Sequence, residues 1–166
     1  NHEMLTRELG KNWFVTACYA IVNCRTRALQ LASAGHPPAM RVRADGTSET
    51  LQADGPLLGV FEDEVFEPLH TTLDEGDRLI LHSDGFETAF SADVHNDPHR
   101  YRRELAGLPR TGANEAIAAL AESVDASPGS LHQSDDLTAL IADVLPVAGR
   151  SEARAGVTGA VGTSAI

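Results

Sequence analysis

The chain has 166 residues, 42% of them hydrophobic and 22% charged, and carries a net charge of −11 at neutral pH. That length suits one domain with a substantial core, and the composition excludes wholesale disorder. The acidic balance argues against a nucleic-acid partner and against an anionic membrane surface, both of which would call for a basic face. Residues 1–9 have helical composition, with Met4, Leu5 and Leu9 on one stripe and Gly10 as a stop. Residues 13–23 are rich in strand formers, apolar on both alternating faces, and predict a strand covered on two sides. A turn at Cys24-Arg25-Thr26-Arg27 returns the chain as a second strand over 28–32. Ala34-Gly35-His36-Pro37-Pro38 is a rigid loop, because prolines cannot donate ladder hydrogen bonds. Residues 40–43 and 48–52 flank Ala44-Asp45-Gly46 as a more polar hairpin at a sheet edge, and Gly55-Pro56-Leu57-Leu58-Gly59 is a further loop.

Residues 65–73 predict a strand, and Asp74-Glu75-Gly76-Asp77 turns into Arg78-Leu79-Ile80-Leu81, a short strand buried on both faces. Strand follows strand with short turns up to this point, so antiparallel pairing is expected. Helices are predicted to open at residue 86, over 100–108, and over 113–124. In the last of these Ile117, Leu120, Ala121 and Val124 repeat at three- and four-residue steps. Residues 91–99 and 125–133 read as loops, 137–145 as a final strand ended by Pro146, and 147–166 as a flexible tail. No run of about 18 apolar residues exists to cross a membrane. Cys18 and Cys24 fit no zinc or disulfide spacing, so free thiols in a reducing, cytoplasmic setting are expected. The chain opens on Asn1 without a methionine or signal-peptide pattern and reads as a piece of a longer polypeptide.

Two stretches carry the chemistry. The strand over 78–81 runs into His82-Ser83-Asp84-Gly85, which puts the Asp84 carboxylate where the sheet opens to solvent, and Gly85 lets the backbone turn or approach closely. Far along the chain, Ser134-Asp135-Asp136-Leu137-Thr138 stands directly before the apolar run of the last strand. Two sheet-end carboxylates brought together by the fold make a hard-cation site for magnesium or manganese. Taken singly, each is also ordinary turn chemistry. The acidic net charge does not exclude an anionic substrate, since a bound divalent ion can dominate the local field.

In order, Phe14-Val15-Thr16, Ala34-Gly35-His36-Pro37-Pro38, Pro56-Leu57-Leu58-Gly59, Glu75-Gly76-Asp77, Ser83-Asp84-Gly85 and Asp135-Asp136-Leu137-Thr138 resemble the metal-dependent (PPM-type) protein serine/threonine phosphatases, in their bacterial SpoIIE-like branch. The resemblance covers roughly residues 4–145. It implies an α+β fold, an α-β-β-α sandwich of two antiparallel sheets flanked by helices, occupying residues 1–146 ahead of the tail. It implies two divalent cations, Mn2+ or Mg2+, with Asp84 and Asp135 as metal ligands and Gly85 and Asp136 in support. In such a centre, ions roughly 3.5–4 Å apart activate a water that attacks phosphorus in line, with no phosphoenzyme. The implied substrate is phosphoserine or phosphothreonine on a bacterial signalling protein, a small anti-sigma-factor antagonist. A homodimer stays open. The family's first metal motif, a Gly-Asp ahead of a glycine-rich turn, is absent here and is expected before residue 1, so the N-terminal part of the domain is missing. Gly76-Asp77 is a look-alike only. The rival reading is therefore a catalytically incomplete phosphatase-fold module that binds a signalling partner without hydrolysis. A third is a hydrolase of small phosphorylated molecules.

Other candidates have plainer readings. His36 packs a loop that the resemblance places away from the metals. His95 and His99 stand four apart, but Pro98 lies between them. His82 points to the core, Glu62, Asp63 and Glu64 form a solvated loop, and Arg100, Arg102 and Arg103 lie on an exposed helix face rather than steering a phosphoprotein.

Overall fold

The computed structural model describes residues 14–61, 63–90, 97, 99–127 and 136–146, and the backbone of 157–164. The helix expected over 1–9 lies outside the described residues. Eight strands and three helices are described: β1 (Ala17–Val22), β2 (Ala28–Ala34), β3 (Ala39–Val42), β4 (Ser48–Leu51), β5 (Leu69–Thr72), β6 (Arg78–His82), α1 (Gly85–Ala89), α2 (Arg100–Ala106), α3 (Ala113–Asp125), β7 (Leu137–Val144) and β8 (Val157–Ser164). The strands form two antiparallel sheets, ordered β1-β2-β5 and β4-β3-β6-β7-β8. The fold class is the α+β arrangement of two antiparallel sheets with helices that the sequence implied.

The chain divides into two compact units, residues 1–38 with 51–73, and residues 39–50 with 74–166. In the first unit, β1 and β2 form the predicted hairpin, from Ala17 opposite Ala34 to Val22 opposite Leu29. The Asn23 side chain caps its turn by accepting from the N–H groups of Arg25 and Thr26. β1 is an edge strand with one open face: Tyr19 is 67% and Ile21 48% exposed, so the expectation of cover on two sides is not met. β5 is also shorter than predicted. Only Leu69–Thr72 pair with β2, because Pro68 has no N–H to give a ladder.

The second unit holds the larger core, in which Met40, Val42, Ile80, Phe86, Phe90, Leu105, Leu120, Leu137 and Ile141 are buried. The hairpin expected at a polar edge is half so. β4 is the edge, whereas β3 lies between β4 and β6 and is buried throughout. Its Arg41 is accommodated because Nε donates to Asp77 Oδ2 at 2.6 Å and Nη2 to Asp74 Oδ2 at 2.7 Å. Burial works against this charge, but Asp77 and Asp74 outweigh it and hold the guanidinium pKa above its usual value. Asp77 is therefore a buried structural partner, in keeping with its reading as a look-alike of a metal motif. In α3 the buried stripe is Ala113, Ala116, Leu120 and Val124. It is rotated from the predicted one: Ala121 is exposed and Ile117 half-buried, with small alanines on the packed face.

The tail departs most from expectation. Val157–Ser164 pair antiparallel with the whole of β7, from Leu137 opposite Ser164 to Val144 opposite Val157. Ladder hydrogen bonds come from the backbone, so a Gly- and Ala-rich segment can satisfy an open strand edge without large side chains. A flexible tail over all of 147–166 is thus corrected for 157–164.

Arg78 anchors the helical layer to this sheet. It is 1% exposed. Its Nε and Nη2 donate to Asp143 Oδ1 and Oδ2 at 2.6 and 3.0 Å, and Nη1 donates to the Pro109 carbonyl at 2.7 Å. One side chain thereby ties β6 to β7 and to the segment between α2 and α3. Asp143→Ala would leave the guanidinium buried without its counter-charge. The expected loss is about 3–5 kcal/mol of stability, read as a lower midpoint in urea unfolding. An unchanged midpoint would show that the pair is dispensable.

Candidate metal and phosphate site

The candidate site lies where β6 ends and β7 begins. The ladder runs from Arg78 opposite Asp143 to His82 opposite Ala139. One residue on, the Ser83 N–H donates to the Thr138 carbonyl at 2.9 Å. The return bond runs to the serine side chain: the Thr138 N–H donates to Ser83 Oγ at 3.0 Å. That hydroxyl donates in turn to the Asp136 carbonyl, also at 3.0 Å. The Ser83 carbonyl accepts from His82 Nδ1 at 3.1 Å, which makes the Nδ1–H tautomer the fitting one. His82 is buried and meets the ring edges of Tyr101 and Phe86, with centroids 5.3 and 6.2 Å away, as its core reading requires.

Released from the ladder, the chain turns at Asp84 (φ −67°, ψ −19°), the N-cap of α1. The Asp84 carbonyl accepts the Glu87 N–H at 2.9 Å, and its side chain is exposed. Gly85 is buried directly against the other strand. A β-carbon there would stand 2.6 Å from the Asp136 carbonyl oxygen and 2.9 Å from Leu137 Cδ2, closer than real β-carbons come. Glycine is what lets the two motifs touch. The exposed Asp84 and Asp136 thus flank one short backbone clasp at the same end of the sheet. Asp135 lies outside the described residues.

Two exposed carboxylates at a sheet end are oxygen donors of the kind that hard divalent cations take. Among the described residues no three His, Cys, Asp or Glu side chains gather as a metal cage. Asp84 and Asp136 offer carboxylate oxygens on either side of the clasp, a donor chemistry suited to such an ion. The other candidates are engaged elsewhere. The His36 ring meets Thr16 Oγ1 at 3.4 Å, and its backbone N–H and carbonyl both bond to Ser33 Oγ, as a structural loop would require. His99 is the exposed N-cap of α2, and His95 and Glu62 lie outside the described residues. Arg103 pairs with Asp97, whose carboxyl it holds below the usual range, while Arg100 reaches Glu104 at 3.4 Å. Arg102 donates to the Tyr101 hydroxyl at 2.9 Å and lies over its ring. The residue that sequence reasoning left without a role is Ser83, for which the only signal is a hydroxyl placed directly before Asp-Gly at a strand end.

The family model for Stage II sporulation protein E (SpoIIE) matches residues 2–145. The chain belongs to the SpoIIE family. It is 31% identical over 84 residues to the phosphoserine phosphatase RsbP of Bacillus subtilis (strain 168), an alignment that covers 51% of this chain and 21% of that protein. The chain thus matches about a fifth of the length of that curated relative. The phosphatase domain of SpoIIE from Bacillus subtilis, presoaked with manganese, superposes with a TM-score of 0.64 at 21% identity, over 81% of this chain and 59% of that one. The catalytic domain of the serine threonine protein phosphatase PstP, in complex with two manganese ions, gives 0.60 at 18% identity, over 87% of this chain and 65% of that one. These likenesses establish the SpoIIE-type phosphatase fold.

The contact between Gly85 and Asp136 makes a direct prediction. Gly85→Ala must displace the Asp136 peptide or Leu137, at a cost of about 1–3 kcal/mol. Urea unfolding should show that loss, and amide chemical shifts should change first at Asp136, Leu137 and Thr138. A variant with wild-type stability and unchanged shifts would mean that the approach is looser than described.

Proposed function

We propose that this chain supplies part of the metal site of a PPM-type phosphatase that hydrolyses phosphoserine or phosphothreonine on a signalling protein, by water activated at a pair of divalent cations. The observation that carries the reading is the clasp between Ser83-Asp84-Gly85 and Asp136-Leu137-Thr138, which gathers exposed carboxylates at one sheet end. Membership of the SpoIIE family supports it, as does a relative named as a phosphoserine phosphatase. The two manganese ions of the PstP structure favour divalent manganese as the cofactor.

Asp84 and Asp135 are the proposed ligands, with Asp136 and Gly85 in support. Bound divalent cations would supply a water of lowered pKa and positive charge for the phosphoryl oxygens. The chain's own part is to hold carboxylate oxygens in a fixed array at the end of β6. Asp84 does so from the N-cap of a helix that is packed into the core through Phe86 and Ala89. No side-chain nucleophile is needed. A small anti-sigma-factor antagonist in the cytoplasm is the partner class that the family reading favours, and none of the described helices is long and apolar enough to cross a membrane.

The test is manganese-dependent phosphate release from a phosphoserine protein, measured on the chain. Asp84→Asn keeps size and hydrogen-bonding capacity but removes a charged ligand. It should lower turnover by about a hundredfold or more while leaving the circular dichroism spectrum unchanged. Undiminished turnover in that variant would remove Asp84 from the mechanism. Partner binding without phosphate release would favour the non-hydrolysing module.

A further inference from the structure

The rung at Ser83 is unusual in its chemistry. An antiparallel pair closes each narrow rung with two N–H···O=C bonds. Here the second is replaced by the Ser83 hydroxyl, which accepts from the Thr138 N–H and donates to the Asp136 carbonyl, each at 3.0 Å. The Ser83 carbonyl is turned to His82 Nδ1 instead, which leaves the chain free to leave the sheet at Asp84 and start α1 in the next residue. The side chain thereby does the work of a carbonyl for β7 while the main chain bends away. Only a group that is donor and acceptor at once can make both bonds, and among small side chains that means a hydroxyl.

We propose that Ser83 is a positioning residue of the metal site: its hydroxyl sets the Asp136 peptide relative to Asp84, and so sets the geometry in which the carboxylates of the two motifs meet a divalent cation. This rests on the phosphatase reading above. The Asp136 carbonyl is held on one side by Ser83 Oγ and confined on the other by Gly85, so its peptide plane has little freedom. Without the hydroxyl, the Asp136 carbonyl and the Thr138 N–H each lose a hydrogen bond, and the start of β7 can rotate away from α1. Ligand arrays of this kind depend on hydrogen bonds behind them, whose loss typically weakens metal binding by about 10–100-fold.

The experiment is calorimetric titration of manganese into the chain, beside amide hydrogen exchange of Thr138, for wild type, Ser83→Ala, Ser83→Thr, Ser83→Cys and Asp84→Asn. Ser83→Ala should weaken manganese binding by about tenfold or more and speed exchange at Thr138, and Ser83→Thr should restore both. Ser83→Cys keeps the size but is a poor donor and acceptor, so it should fall with alanine, and it serves as the test if the alanine variant does not fold. Faster exchange at Thr138 with wild-type manganese affinity in Ser83→Ala, or in Ser83→Cys, would make Ser83 merely structural and overturn the proposal. If Asp84→Asn loses binding while the Ser83 variants keep it, only the role of Ser83 falls. If Asp84→Asn keeps binding as well, or the wild type binds no manganese, the metal-site reading falls with it.

Discussion

A backbone can press against the Asp136 carbonyl only where no β-carbon intervenes, and Gly85 stands at that point, three residues after the end of β6. Several features hang on this approach. It lets α1 begin at once, so that Asp84 stands at the N-cap position of a helix rather than trailing into a loop. It also holds the start of β7 beside the end of β6, although more than 50 residues separate them in sequence. A carboxylate on a mobile loop would have to be ordered by a cation at the moment of binding, and that ordering costs conformational entropy. Here the backbone that carries Asp84 is already ordered in the fold.

The strands that carry the site are themselves fixed by buried charge. Arg41 and Arg78 sit on neighbouring strands, β3 and β6, and each is matched by carboxylates, Asp77 with Asp74 in one case and Asp143 in the other. Buried pairs of this kind are not strong net stabilisers, but removing one partner is costly, so they penalise misregistered alternatives more than they deepen the native state. A one-residue slip of β6 would send Arg78 to the other face and away from Asp143. It would equally carry Ser83 away from Thr138 and Asp84 away from Asp136. Register, enforced at one end of β6, thereby serves chemistry at the other.

Much of this was legible in the residues. The apolar run before Ser83-Asp84-Gly85 and the one after Asp135-Asp136 announced two strands with carboxylates at their ends, and short turns announced antiparallel pairing. What stayed hidden depends on contacts between distant segments. β1 looked double-sided because Tyr19 and Ile21 are apolar, but the pattern does not reveal that the face they share is left open. Arg41 made β3 look peripheral, since its neutralising partner Asp77 is 36 residues away. The tail lacked periodic large residues, and a strand held by backbone pairing, such as Val157–Ser164, leaves no such mark. Ser83 carries no mark of its role, because its importance lies in which two backbone groups it bridges, and neither is near it in sequence.

The site is tested most directly by titrating manganese into the isotopically labelled chain and following which amide signals broaden, since paramagnetic broadening falls steeply with distance from the ion. Signals of Ser83, Asp84, Gly85, Asp136 and Leu137 should disappear first and together, at substoichiometric manganese. Early broadening around His99 and Asp97, or around Asp63 and Glu64, with the Ser83–Gly85 signals retained, would contradict the placement of the metal site at the junction of β6 and β7.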